Sequence, residues 1–298
     1  MVGEEVKVVG VGGSGCAACE RMSSLKGCDF IGVHTDAASL LKTRIPLKVL
    51  IGLDLTRGRS TGNNIRLGEE AAISDREKIS SVLTGAKITF LIAGLGGGTG
   101  AGASPVVAEA AKSLGSTVIA FVNIPFTAEG KVCLSNAKTG LDNLRPYCDL
   151  IVLLENDRFL QIVSDVAIGD AFTKVNDILF EAVSSVLSTS LDAGPESIRP
   201  LLVGFGTLGH GLGTDYLSAV KSAMSSPLLI YDIIRAKGVL LDFRGPKDDG
   251  DVKEALDYVF SQLPEGTPLL WGLKNRGEGD LFESMALFTG FSEKIKLP

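Results

Sequence analysis

Histidine is almost missing from this chain of 298 residues, with His34 and His210 the only two. One reads at a strand end and the other in a glycine-rich turn, and neither is expected to build a Ser-His-Asp triad or a metal constellation. Aromatic residues are also sparse, at 6% with a single tryptophan. Basic residues are outnumbered, 29 Lys and Arg against 35 Asp and Glu, for a formal net charge of −6. No Lys/Arg-rich run or basic stripe interleaved with aromatics occurs, so nucleic acid is not an expected partner. No apolar stretch approaches the roughly 20 residues that a bilayer demands. Met1 leads through Gly3, Glu4 and Glu5 into an apolar strand with no signal peptide, and Pro298 closes the sequence without a lipidation box. The expectation is a cytoplasmic protein with no direct membrane insertion. The five cysteines are odd in number and irregularly spaced, as expected of reduced thiols.

What is present is ordinary globular composition, 45% hydrophobic and 21% charged, with an excess of glycine at 36 residues. A chain of this length buries enough apolar surface to fold without disulfide or metal staples. Its first half alternates short apolar, β-branched runs with helical patterns. Val6–Val11, Phe30–His34, Val49–Gly52, Ile88–Ala93, Thr117–Val122 and Leu150–Leu154 read as strands. Cys16–Leu25, Glu69–Leu83, Pro105–Leu114 and Ser135–Leu144 read as helices between them. Continuous apolar strands separated by helices imply a parallel sheet with helices on both faces. A long helix follows over about Ile168–Leu187, its apolar residues recurring at i, i+3, i+4 and i+7. Beyond it, strands at Leu201–Gly206, Gly238–Phe243, Pro268–Leu273 and Leu281–Gly290 mix with two helices, as in an α+β domain. The expected organisation is therefore α/β: a nucleotide-binding domain over 1–187 including the long central helix, and a smaller α+β domain over 188–298.

Two glycine-rich stretches carry the chemistry. Gly10-Val-Gly12-Gly13-Ser14-Gly15 follows the first strand and precedes a helix. Glycines there let the backbone approach a phosphate, and the helix start supplies free N–H groups and the positive end of a dipole. Alone, this is a dinucleotide fingerprint, and Asp36 after the second strand stands at the spacing expected of a ribose contact. The bland alternative is a tight turn with no ligand. The second stretch, Gly94-Leu-Gly96-Gly97-Gly98-Thr99-Gly100-Ala-Gly102, follows the strand ITFLIA and opens another helix. Six glycines cost backbone entropy that a fold accepts where the main chain must wrap an anion. Two converging cradles suit a nucleoside di- or triphosphate, whereas a dinucleotide oxidoreductase needs one. A flexible hinge is the structural alternative.

The stretch GGGTGAG over 96–102 resembles the signature of the tubulin/FtsZ family. The resemblance extends over nearly the whole chain and is nearer to FtsZ than to tubulin. VKVVGVGGSG resembles the family's first loop, and HTDAASLL (34–41) its NTDAQAL segment. LTRGRSTGNN (55–64) resembles the loop that approaches the γ-phosphate. IPFTAEG (124–130), ENDR (155–158), SSPLL (225–229), AKGVLLDFRG and LFTGF have family counterparts as well. The resemblance implies GTP or GDP as ligand, with Mg2+ by analogy. It puts Gly12, Gly13, Ser14, Gly62, Gly96, Gly97, Gly98, Thr99 and Gly100 at the phosphates, Glu129 and Asn156 at the ribose, Asn176 on the guanine edge and Phe172 stacked on the base. Phe172 reads equally as core, and the two asparagines read also as caps.

Three positions depart from the family. Its base-contacting Asn in the first helix is Ala17 here, and its Arg after the EG segment is Cys133. The loop that completes the neighbour's active site corresponds to Ser188–Pro200, where Gly194 and Ser197 stand in place of two aspartates. Asp192 and Glu196 lie nearby and are the candidate catalytic residues, acting in trans; they read equally as solvated loop acids. Three readings follow: a GTPase that assembles head to tail with itself, in cell division or cell shape; a non-hydrolysing FtsZ paralogue that caps or regulates a filament of a related subunit; and a Rossmann-type oxidoreductase. The sequence carries none of the disordered linker and terminal peptide by which FtsZ meets membrane adaptors, so tethering by that route is not expected. Cys16-Ala-Ala-Cys19 has no second pair to make a zinc site. Its place at a helix start would lower a thiol pKa, although a redox role is not favoured. His210 is expected in a glycine-rich turn, and the acidic run Lys247–Asp251 in a solvated hairpin or loop.

Overall fold

The computed structural model describes residues 5–161, 168–193, 195–246, 252–275 and 281–292, with side chains except at 168–175, 190–193, 195, 196 and 275. The chain folds into two compact units, within Met1–Asp157 and Arg158–Ile295.

The first unit runs β1 (Val6–Val11), α1 (Gly12–Met22), β2 (Asp29–His34), α2 (Ala37–Lys42), β3 (Leu47–Leu50), α3 (Leu53–Thr56), α4 (Ile65–Ser74), α5 (Arg76–Leu83), β4 (Ile88–Gly94), α6 (Gly98–Ser113), β5 (Thr117–Ile124), α7 (Lys131–Leu144) and β6 (Leu150–Glu155), and the short α8 (Asn156–Phe159) holds the boundary between the units. Its strands lie in the order β3-β2-β1-β4-β5-β6. Every pair is parallel, with Val8 opposite both Phe30 and Phe90, and Phe121 opposite Ile92 and Val152. The six apolar runs thus become one parallel sheet, and β1, buried along its whole length, shows why its sequence does not alternate. Lys7 is the exception: it is buried, donates to the Val82 carbonyl at 2.8 Å and pairs with Asp29 at 3.5 Å. The chain reverses its direction of winding between β1 and β4, which is where doubly wound sheets open a crevice at the carboxyl ends of their strands.

The helical pattern over 69–83 resolves into two helices. Asp75, with φ −114° and ψ 25°, ends α4 and begins α5, and its carboxylate accepts from Gly52 N at 2.6 Å. Both glycine stretches start their helices earlier than periodicity indicates, at Gly12 and Gly98. Glycine carries no apolar signal, so its first turns read as loop until the backbone is seen.

The second unit continues with α9 (Ile168–Ala193), α10 (Pro195–Ile198), β7 (Gly204–Gly213), α11 (Tyr216–Met224), β8 (Gly238–Gly245), α12 (Val252–Gln262), β9 (Leu269–Asn275) and β10 (Phe282–Phe291). Strand β10 lies antiparallel between β7 and β8, and β9 joins β8 in parallel, the mixed sheet of an α+β unit. The long helix falls within this unit, whereas the sequence pattern groups it with the first. The stretch expected as a loop over Ser188–Pro200 is largely helical. Helix α9 runs on to Ala193, Ser188 and Thr189 folding their hydroxyls back onto the Ser185 carbonyl, and Pro195 opens α10. His210 lies inside β7 and not in a turn. The glycines around it make room for a helix: a Cβ on Gly209 would stand 2.1 Å from the Ala223 carbonyl oxygen, and one on Gly211 2.2 Å from Ala223 N. Strand glycine here means close approach of α11. The acidic run 247–251 lies outside the described residues. Among the described residues no helix is long and apolar enough to cross a membrane.

Candidate functional site

Because β1, β2, β4, β5 and β6 are parallel, the loops leaving their carboxyl ends gather on one edge of the sheet. That edge receives Gly12–Ser14, Thr35–Asp36, Leu95–Gly97, Pro125–Glu129 and Asn156, together with the turn Thr61–Asn64.

The two glycine stretches meet. Gly12 has φ +74°, and a Cβ there would stand 2.9 Å from Gly100 N. The first turns of α1 and α6 are therefore neighbours, and both present free N–H groups and the positive ends of their dipoles. The glycines divide into two kinds. Gly98 and Gly100 make room for protein: a Cβ on Gly98 would meet the Asn64 carbonyl oxygen at 2.5 Å, and one on Gly100 the Gly94 carbonyl oxygen at 2.1 Å. Gly62 and Gly97 face open space, with nothing within 4 Å of a Cβ. Gly13 and Ser14 are exposed. Gly96 lies under Pro125 and Cys133.

Three threonine hydroxyls join the loops beneath. Thr99 Oγ1 lies 2.9 Å from Thr35 Oγ1 and 3.4 Å from Thr61 Oγ1, all three buried. His34 is buried as well, and its Nδ1 accepts from Asp36 N at 3.1 Å. That acceptance puts the proton of the neutral ring on Nε2, which faces the exposed Gly13. Burial holds His34 below the usual imidazole pKa. Asp36 caps α2, its carboxylate accepting from Ser39 N at 2.7 Å, and this hydrogen bond lowers its pKa.

On the far side, Glu129 is exposed and Oε1 accepts from Phe126 N at 2.8 Å, fixing the turn that carries it. Asp157 accepts from Thr127 N at 3.1 Å and so ties that turn to the end of β6. Asn156 is only 4% exposed and Asn123 only 5%, yet the side-chain oxygen of each has no hydrogen-bond partner among the described residues. Leaving a buried acceptor unmet costs about 1–3 kcal/mol, so both amides fit a ligand that donates. Sequence reasoning misses Asn123, because a lone asparagine at a strand end carries no periodic or motif signal. It misses Asn136 for the same reason. Asn136 is buried on α7, and its Nδ2 donates to the Asn63 carbonyl at 2.8 Å and to the Gly96 carbonyl at 3.1 Å.

Phe172 and Asn176 belong to α9 of the second unit, Asn176 half-buried; the side chain of Phe172 lies outside the described residues. Asp192 falls in the last turn of α9 and Glu196 in α10, and their side chains lie outside the described residues too. Gly194 is not among the described residues. Ala17 is exposed on α1, and Cys133 is buried with its thiol pKa raised by that burial. Cys16 and Cys19 are core residues whose thiols point at strand carbonyls: Cys16 toward Gly10 at 3.4 Å, Cys19 toward Val8 and Ile31 at 3.6 Å each. Burial outweighs the helix start and pushes both up to about 12, the reverse of the lowering expected from their position. Among the described residues no group of three His, Cys, Asp or Glu could hold a metal ion.

Residues 5–164 match the family described as Tubulin/FtsZ family, GTPase domain. The cell division protein FtsZ 1 of Thermococcus kodakarensis is 36% identical over 304 residues, covering 97% of this chain and 81% of that protein. A solved FtsZ dimer from M. jannaschii, described as empty, superposes with a TM-score of 0.91 at 32% identity over 96% of this chain and 88% of that one. The GDP-bound monomer of CetZ1 from Haloferax volcanii gives a TM-score of 0.84 at 20% identity over 99% and 96%, a likeness of fold alone.

Proposed function

The chain belongs to the tubulin/FtsZ family, and from that premise we propose that it is a cytoplasmic guanine-nucleotide-binding protein whose head-to-tail assembly serves cell division or cell shape. The observation that carries the reading is the pair of abutting helix starts, Gly12–Ser14 and Gly97–Gly100, with open backbone at Gly97 and Gly62 beside them. Such a surface suits two or three phosphates, since free N–H groups and aligned dipoles stabilise anions without buried cations. Mg2+ would come with the triphosphate and would offset its charge, with the Thr99 hydroxyl the side-chain oxygen this edge would offer it or its water. Gly12, Gly13, Ser14, Gly62 and Gly96–Gly100 take the phosphates. Asn156 and Glu129 take the ribose, whose hydroxyls supply the donor that Asn156 Oδ1 lacks. Asn123 offers a second buried acceptor close by. Asn176 and Phe172 take the base, Asn176 because an amide both accepts from and donates to the guanine edge. Asp36 shapes the loop through its cap on α2. That role, and the second phosphate cradle, leave the oxidoreductase alternative without support.

Assembly follows from a heterologous contact that does not close. The partner is a second copy of this chain or a related FtsZ-type subunit. Hydrolysis then depends on Asp192 or Glu196 reaching the neighbour's nucleotide. A specific observation favours the second reading, a nucleotide-binding paralogue that does not hydrolyse: Asp192 is built into the end of α9, and Gly194 and Ser197 stand where the family has aspartates.

GTP turnover measured with light scattering, in magnesium and across protein concentration, separates the two. Specific turnover that rises with protein concentration, and falls at least tenfold in Asp192→Ala or Glu196→Ala, means that active sites form between subunits. Tight nucleotide binding with no turnover at any concentration removes the autonomous GTPase and leaves the paralogue.

A further inference from the structure

The turn Thr61–Asn64 is fixed from both ends. Thr61 touches the hydroxyl of Thr99, and the Asn64 N–H closes the turn on the Thr61 carbonyl at 3.1 Å. Its two central residues, Gly62 and Asn63, both have left-handed backbone, φ +55° and +66°. Asn63 then receives two contacts from α7: its carbonyl accepts from Asn136 Nδ2 at 2.8 Å, and its own Nδ2 approaches Cys133 Sγ at 3.8 Å. The second proton of the Asn136 amide goes to the Gly96 carbonyl at 3.1 Å. Both acceptors are carbonyls, so the amide orientation is determined. One buried side chain thus spans the α3–α4 connection and the second glycine loop, and leaves Gly62 and Gly97 as the open backbone positions between its contacts.

We propose that Asn136 is a positioning residue that holds the Thr61–Asn64 turn at a set distance from Gly96–Gly97, preforming the seat of the terminal phosphate and so setting the preference for a triphosphate over a diphosphate. It touches no ligand itself. In the nucleotide reading the α- and β-phosphates rest on the first turns of α1 and α6, whereas the two hydrogen bonds of Asn136 go to Asn63 and Gly96, so the diphosphate is held whether or not the turn is in place. The proposal rests on the nucleotide reading above.

The test is calorimetric binding of GDP and of a non-hydrolysable GTP analogue to wild type, Asn136→Ala and Asn136→Leu, with hydrogen exchange at the amides of residues 61–64. Two lost hydrogen bonds predict a GTP-analogue affinity about tenfold lower in the variants, with GDP within about twofold. The wild-type Asn64 amide, which closes the turn on the Thr61 carbonyl, should be protected before nucleotide is added and exchange faster in the variants. Equal weakening for both nucleotides would mean that Asn136 only supports packing, and overturns the proposal. An Asn64 amide that exchanges freely in unliganded wild type overturns it too, without needing any variant to fold. Wild type that binds neither nucleotide overturns the nucleotide reading and this proposal with it.

Discussion

His34 shows how single residues are set by their surroundings. Burial disfavours its charged form, and Nδ1 is already occupied as an acceptor of the Asp36 N–H. Its folded pKa therefore lies below the ordinary 6.5. The unfolded chain takes up the proton first, so the stability contributed by neutral His34 is present above about pH 6.5 and is lost as the pH falls below it. Asp36 acts in a lower window: its pKa is lowered, so its contribution is lost only as the pH falls below about 3.8. Urea unfolding at pH 7.5 and pH 5 should show wild type losing more stability on acidification than His34→Asn, which keeps an acceptor for Asp36 N–H without a titrating ring. An equal loss in both proteins would show that His34 is not the group that responds. The sequence does not carry this behaviour, because the histidine's motif shows where it lies and not what encloses it. Cys16 and Cys19 teach the same point: their place at a helix start suggests a lowered thiol pKa, and only the packing of α1 on β1 and β2 makes them core.

Elements are legible where their signal is periodic and apolar. The six strands of the first unit lie within a few residues of their expected places, since buried parallel strands are continuous apolar runs. Signals fail where glycine is used for closeness, as in β7, whose residues 204–213 contain five glycines and resemble a turn. They fail also where a charge is buried. On β8, Asp242 is 1% exposed and accepts from Arg244 Nε and Ser185 Oγ at 2.7 and 2.8 Å, while Arg244 pairs with Glu181 of α9. Lys274 stands 3.7 Å from the other carboxylate oxygen. Removing one partner strands the others in low dielectric, so Asp242→Ala should cost about 3–5 kcal/mol in urea unfolding. A cost under about 1 kcal/mol would mean that water already screens this cluster. The strand read over Gly238–Phe243 carries no sequence sign that Asp242 is buried and paired.

For the whole molecule, the nucleotide reading makes a thermodynamic demand. A ligand that binds only the folded chain stabilises it by about 2.7 kcal/mol at a hundredfold excess over Kd. GDP at that level should raise the thermal midpoint by roughly 5–10 °C, with adenine nucleotides at equal concentration producing little change. A midpoint indifferent to GDP, or raised equally by ADP, would remove guanine-nucleotide binding as the activity. By itself the sequence determined the parallel sheet of the first unit, the two glycine-rich helix starts and the family, because these are written in contiguous runs of residues whose backbone chemistry acts locally. Only the tertiary structure decided that Asn123 and Asn136 are buried beside the two glycine loops, that Asp192 ends a helix, and that Cys16 and Cys19 are core. Those outcomes depend on burial and on partners tens of residues away, such as Asn136 with Asn63, and no local pattern encodes the distance between them.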